Sequence, residues 1–251
     1  MIERRAGQLP KIIAHRGARA LAPENTMSAF VKAADLGVRA IEFDVTISAD
    51  GVAVLMHDED LDRCTNATGP IILKSLSELQ ALDAGSWFRA DFAGERIPTL
   101  EQVLDLALDR ELAVNLEIKP TLGWEEPTVT AIAETLGRVW RKDAPLVVSS
   151  FNPLALEQFR AEMPDVDLGL LVDAVPDTWS ARMKRFDCVS LHCRAPFVTR
   201  ERVQAVHDQG YRLHVFTVND VDQARELFAW GVDAVFTDHP DIFLEAFGDE
   251  L

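Results

Sequence analysis

The chain has 251 residues, a formal net charge of −16, and 48% hydrophobic against 26% charged residues. That balance excludes a chain dominated by disorder, and the acidic excess repels nucleic-acid backbones and anionic membrane surfaces. One domain spanning 1–251 is expected, since a single α/β barrel takes about 250 residues. The three cysteines, Cys64, Cys188 and Cys193, form no CxxC pair. Their odd number argues against a secreted disulfide framework. The N-terminus MIERRAGQLP has no apolar core, and no run nears the roughly 18 apolar residues of a membrane span. The expectation is a cytoplasmic protein with a small-molecule partner, no nucleic-acid partner and no stable membrane association. A homo-oligomer is compatible with this reading.

In chain order, the first apolar run, 11–15, ends in His15-Arg16-Gly17. Arginine is always charged and its fork matches phosphate. Histidine takes or gives a proton near neutral pH. Glycine lets the backbone turn sharply beside a ligand. The second run, 40–44, alternates Ile41, Phe43 and Val45 with Glu42 and Asp44. Asp50-Gly51 between two β-rich stretches is a hairpin signal. Strand two is therefore expected to run past a barrel rim, turn at 49–51 and return over 52–56. Counting back from the turn places His57 opposite 42–44. The stretch 59–98 carries one short helix signal, at 75–82, and too few apolar residues for its own domain. A small cap over a barrel mouth is expected there.

Thr99 and Gln102 begin the next helix with a capping box. The run 113–119 then places Val114, Leu116 and Ile118 on one face and Asn115, Glu117 and Lys119 on the other. Further runs at 146–150, 167–172, 187–192, 212–218 and 233–237 alternate with helical patterns, among them 199–208 and 221–230. Pro153 and Pro176 suit helix starts, and Gly37, Gly210 and Gly231 suit helix ends. About eight βα units predict a parallel, closed TIM (β/α)8 barrel with a β-hairpin arm and a small cap inserted after strand two.

In such a barrel the helices cover the apolar strand faces, and chemistry sits at the C-terminal strand ends. Glu42, Asp44 and Glu117 then gather three carboxylates, which raise one another's pKa unless a cation offsets them. An all-oxygen set suits one hard divalent ion, Mg²⁺ or Ca²⁺ ahead of Zn²⁺, with Mn²⁺ as an alternative. Phosphodiester cleavage needs a base for the attacking oxygen and an acid for the leaving alkoxide. His15 and His57 flanking a metal-bound phosphate form a coherent set for that task. Their two roles stay open. His192, at a strand end, is expected to line the pocket; His207, His214 and His239 have no assigned role.

Taken together, eight stretches resemble the glycerophosphodiester phosphodiesterase family. They are IIAHRG (12–17), APENT (22–26), IEFDV (41–45), DGVAVLMHD (50–58), NLEIKP (115–120), SSF (149–151), FTVN (216–219) and GVDAVFTDHPD (231–241). LDRCTNATG, LDAGSWF, FAGERIPTL and LHCR further resemble its bacterial cytosolic branch. The resemblance implies a TIM barrel with a small inserted cap. It also implies hydrolysis of deacylated phospholipids, such as glycerophosphocholine or glycerophosphoethanolamine, to an alcohol and sn-glycerol 3-phosphate. By motif position it implies His15 and His57 as general acid and base, and Glu42, Asp44 and Glu117 as metal ligands. Arg16 and Lys119 correspond to phosphate-binding groups. Phe216 stands where many members have Trp or Tyr, which keeps an aromatic face in the alcohol pocket but loses its polar edge. A rival reading is lysophospholipase D-like cleavage of lysolipids, drawn from Trp87, Phe88 and Phe92; the lack of a membrane anchor and the −16 charge oppose it. A non-catalytic barrel that senses a phosphodiester predicts loss of a ligand or histidine, and every such position is filled.

Overall fold

A computed structural model of the chain describes residues 8–248. In chain order its elements are β1 (Ile12–Ala14), α1 (Met27–Asp35), β2 (Ala40–Ile47), β3 (Ala53–Leu55), α2 (Leu76–Ala81), α3 (Leu100–Asp109) and β4 (Ala113–Ile118). There follow α4 (Glu125–Val139), β5 (Leu146–Ser150), α5 (Pro153–Glu162), β6 (Asp167–Val172), α6 (Trp179–Phe186) and β7 (Cys188–Arg194). The chain closes with α7 (Arg200–His207), β8 (Arg212–Phe216), α8 (Val221–Trp230), β9 (Ala234–Thr237) and α9 (Pro240–Phe247).

All strands but β3 pair in parallel, and β1 joins both β2 and β9, so the sheet closes into an eight-stranded TIM barrel. The two-residue period drives this. Ile41, Phe43 and Val45 of β2 and Val114, Leu116 and Ile118 of β4 share one apolar cluster with Phe30 of α1 and Val103 and Leu104 of α3. The alternate residues are left to face inward. The helices start and stop where side chains meet their orphan backbone groups. Thr99 and Gln102 form the expected capping box on α3, Pro153 is the first residue of α5, and Gly231 caps α8 with φ 102°. Pro176 does not begin a helix. Its carbonyl accepts a hydrogen bond from the Trp179 amide in a preceding turn, and α6 starts three residues later than expected.

β3 returns antiparallel to β2, with Val45 opposite Leu55 and Ile47 opposite Ala53. The Met56 amide bonds to the Asp44 carbonyl at 3.1 Å, which brings His57 level with the acidic end of β2 as expected. Between β3 and α3 the chain forms α2 and two short 3₁₀ turns, Ile71–Leu73 and Ala90–Phe92. A second apolar cluster there joins Val54 and Met56 of the arm to Leu61, Ile71, Leu79 and Ile97.

His192 does not line the mouth. β7 runs two residues beyond it, so its inward-facing ring lies one layer down and is fully buried. There His192 Nε2 lies 2.9 Å from Ser190 Oγ and 3.1 Å from His214 Nδ1. Gly169 makes the room: a Cβ at that position would stand 2.6 Å from His192 Nε2. Burial lowers the pKa of both histidines, that of His214 to about 4. Each is held neutral in the fold but titrates near 6.5 when unfolded. Unfolding then takes up protons, and stability falls as pH drops from about 6.5 towards 4. For His214 the loss at pH 4 is on the order of 3 kcal/mol. Urea denaturation of a His214→Phe variant should show a weaker pH dependence over that window; an unchanged slope would contradict the assignment.

Candidate active site

The site is built at the C-terminal ends of β1, β2 and β4 and at the tip of the arm. The β2–β4 register sets Glu42 beside Asn115 and Asp44 beside Glu117, which draws the three carboxylates together. One oxygen from each lies within 4.8 Å of the others. Two oxygens on opposite sides of an ion at about 2.1–2.6 Å stand about 4–5 Å apart, so one hard cation fits this set.

Donors fix each carboxylate. The Arg16 amide donates to Glu42 Oε2 at 2.9 Å. Asn25 grips Asp44 twice: its Nδ2 donates to Asp44 Oδ2 at 2.9 Å, and its Oδ1 accepts from the Asp44 amide at 3.2 Å. Lys119 Nζ lies 3.4 Å from Glu117 Oε1 and 4.0 Å from Asp44 Oδ1. The Arg16 turn is possible because Gly17 follows it. Gly17 has φ 80°, and a Cβ there would lie 2.7 Å from the Ala29 carbonyl carbon.

Electrostatics divide the three acids. Burial and then the charges of Asp44 and Glu117 push Glu42 well above the usual carboxylate range. Burial and Asp44 push Glu117 up to about 7. Burial also opposes ionisation of Asp44, but Arg16, Lys119 and His57 outweigh it and hold its pKa down. Full ionisation of the set therefore calls for added positive charge, which a divalent cation would supply.

His15 Nδ1 lies 2.7 Å from Asp238 Oδ1. Burial resists ionisation of Asp238, but contact with His15 and Asn219 holds its pKa low. A charged carboxylate only accepts, so His15 carries its proton on Nδ1. Its Nε2 is left 4.0 Å from Glu42 Oε2. His57 Nδ1 meets Asp58 Oδ1 at 2.5 Å, and its side chain is 33% exposed. Burial lowers both histidine pKa values, against the pull of neighbouring acids. A cleft of about 170 Å³ opens beside this group, lined by Thr46, His57, Glu117, Lys119, Phe151 and Asn152 among others. Phe216 sits edge-on to Phe151, with ring centroids 5.9 Å apart.

The structure thus brings together His15, Arg16, Glu42, Asp44, His57, Glu117 and Lys119, places Phe216 at the neighbouring wall, and sends His192 into the barrel interior. Arg16 is buried and already engaged: Nη1 meets Glu24 Oε1 at 2.7 Å, and Nε lies 3.1 Å from Asp44 Oδ2, out of line for a hydrogen bond. Sequence reasoning assigned nothing to Glu24, Asn25, Asp58 or Asp238. They lie in loops, where no periodicity marks a residue. Their membership in the APENT, DGVAVLMHD and GVDAVFTDHPD stretches was the available signal.

A profile of the glycerophosphoryl diester phosphodiesterase family matches residues 15–242. The chain belongs to this family. A glycerophosphodiester phosphodiesterase of Caldanaerobacter subterraneus subsp. tengcongensis is 36% identical over 241 residues, covering 93% of this chain and 96% of the relative. A solved phosphodiesterase of Oleispira antarctica, in complex with the product sn-glycerol-3-phosphate, superposes with a TM-score of 0.94 at 39% identity. It covers 95% of this chain and 97% of the other. The glycerophosphodiester phosphodiesterase of Thermotoga maritima superposes with a TM-score of 0.75 at 29% identity, covering 94% and 97%. This family member has, among its described residues, no helix long and apolar enough to cross a membrane.

Proposed function

We propose that the protein hydrolyses glycerophosphodiesters, such as glycerophosphocholine and glycerophosphoethanolamine, to an alcohol and sn-glycerol 3-phosphate. In this reading a single divalent cation, Mg²⁺, Ca²⁺ or Mn²⁺, is held by Glu42, Asp44 and Glu117. The observation that carries it is the carboxylate set itself, with His15 Nε2 4.0 Å from Glu42 Oε2 and with Glu117, Lys119 and His57 lining the adjoining cleft, in a member of this family.

When bound, the cation polarises a phosphoryl oxygen and lowers the pKa of an oxygen nucleophile. The remaining work falls to the chain. Lys119, the more exposed of the two cationic side chains, neutralises charge on the phosphoryl group, with Arg16 behind it. Donors aimed at developing charge are worth more here than in water, because the site is largely buried. One histidine takes the proton of the attacking oxygen and the other delivers a proton to the departing alkoxide as its P–O bond breaks. The attacking oxygen belongs to water or to the glycerol 2-hydroxyl; in the second case water then opens a cyclic phosphate. ³¹P NMR during turnover separates the two routes, because only the second passes through a cyclic ester.

Purified protein with glycerophosphocholine and Mg²⁺ or Ca²⁺ should release choline and sn-glycerol 3-phosphate in equal amounts, measured by coupled assay. No release with any of the three cations would overturn the reading. Deacylated substrates should outrun lysophosphatidylcholine. The cap aromatics that favour a lysolipid are occupied with one another: Trp87 packs edge-on to Phe88, and Phe88 to Phe92. Arg89 lies over Phe88 and Phe92.

A further inference from the structure

Glu24 is 5% exposed and its carboxylate receives three guanidinium groups. Arg16 Nη1 donates to Oε1 at 2.7 Å, and Arg19 Nε pairs with Oε2 at 2.9 Å. Arg63 forks across both oxygens at 2.8 and 2.9 Å. Two of these arginines reach onward. Arg63 Nε donates to Asp58 Oδ2 at 2.6 Å, and Asp58 holds His57. Arg19 Nη1 lies 3.5 Å from Asp238 Oδ1, and Asp238 holds His15. A continuous line of charge-assisted contacts therefore joins the two histidines, and Glu24 is its midpoint.

We infer that Glu24 is a positioning residue shared by both candidate catalytic histidines, acting through Arg63 and Asp58 on His57, and through Arg19 and Asp238 on His15. The inference rests on the phosphodiesterase reading above for its effect on turnover, but its geometry stands apart from it. Three guanidiniums face three carboxylates, and Arg16 is shared with the acids assigned to the cation, its Nε lying 3.1 Å from Asp44 Oδ2. Guanidinium forks are planar and directional, so each arginine transmits an orientation as well as a charge. Arg19 and Arg63 are partly exposed, and without a buried common acceptor each would be free to turn towards solvent. Asp58 would then lose the Arg63 donors that set its angle, and Asp238 would lose its Arg19 contact and be left with the 2.8 Å bond from Asn219 Nδ2.

The test is Glu24→Gln, which keeps shape and one acceptor but removes the charge that gathers three cations. Two readouts are needed. Imidazole ¹⁵N NMR of the whole protein should show that Glu24→Gln shifts the signals of both His15 and His57. Turnover of glycerophosphocholine should fall by about 10–100-fold in kcat, the range expected when a reacting group is misplaced by a fraction of an ångström to an ångström. Double-mutant cycles add direction: Glu24→Gln combined with Asp58→Asn or Asp238→Asn should cost less than the product of the single losses. Purely structural pairing predicts a lower melting temperature with unmoved imidazole signals and independent losses, and that result overturns the inference. Should Glu24→Gln fail to fold, Arg63→Lys and Arg19→Lys replace it. The first should move only the His57 signals and the second only those of His15; any other pattern counts against the relay. An inactive wild-type protein would defeat the phosphodiesterase reading alone, since the NMR result reports on Glu24 without turnover.

Discussion

Chelation of divalent cations is expected to bring turnover of glycerophosphocholine to background, with recovery on adding back Mg²⁺ or Ca²⁺. Asp44→Asn should lower kcat/KM by roughly 10²–10³-fold, the usual scale for losing one preorganised electrostatic element. The reason lies in the imbalance of the acidic set. Glu42 and Glu117 sit above the usual carboxylate range because burial and the charge of Asp44 act on both. A raised folded pKa means that the group's contribution is lost as pH rises, from its unfolded value near 4.5 through about 7 for Glu117. The metal-free protein therefore weakens across that window, and a cation relieves the repulsion. The gain in melting temperature on adding Mg²⁺ should be larger at pH 8 than at pH 5.5. Below about pH 7 the cation must displace a proton from Glu117, so apparent affinity should fall about tenfold per pH unit for each proton displaced. Activity that survives thorough metal removal, or a thermal shift that shrinks with rising pH, would remove the cation from the mechanism.

His15→Ala and His57→Ala should each lower kcat by roughly 10²–10⁴-fold if they are the proton-transfer groups. The two variants should then part company on chemical rescue. His15 is 9% exposed and enclosed by Asp238 and Glu42, whereas the His57 side chain is 33% exposed and borders the open cleft. Added imidazole should restore His57→Ala substantially and His15→Ala little. Circular dichroism on both variants separates lost chemistry from lost folding. Near wild-type kcat in either variant would take that histidine out of the reaction.

The barrel was legible because short apolar runs alternate with helical patterns through about eight βα units, and β2 and β4 add a two-residue alternation without interruption. That alternation also exposed Glu42, Asp44 and Glu117, since inward-facing acids on strands in register cannot avoid one another. The arm was legible from Asp50-Gly51, and its register followed by counting. Loop residues were another matter. Asp238 and His15 are 223 residues apart in the chain and meet only because β9 pairs with β1 to close the barrel. Asn25 reaches Asp44, and Glu24 reaches Arg63, across turns whose path depends on packing rather than on period. His192 shows the limit from the other side. Its strand was expected to end at 192, which would put it at the pocket, but β7 runs on to Arg194 and leaves it a layer down.

What the sequence by itself determined is therefore a set of directions and charges: which residues face inward, which are acids, histidines and bases, and how the strands follow one another. Periodicity is local and survives without any tertiary contact. The tertiary structure decided height and partnership. Barrel register sank His192 beneath the mouth and raised Glu117 beside Asp44. Closure delivered Asp238 to His15, and the fold of the segment after β3 brought Arg63 to Glu24, beside Arg16 and Arg19 of Glu24's own loop.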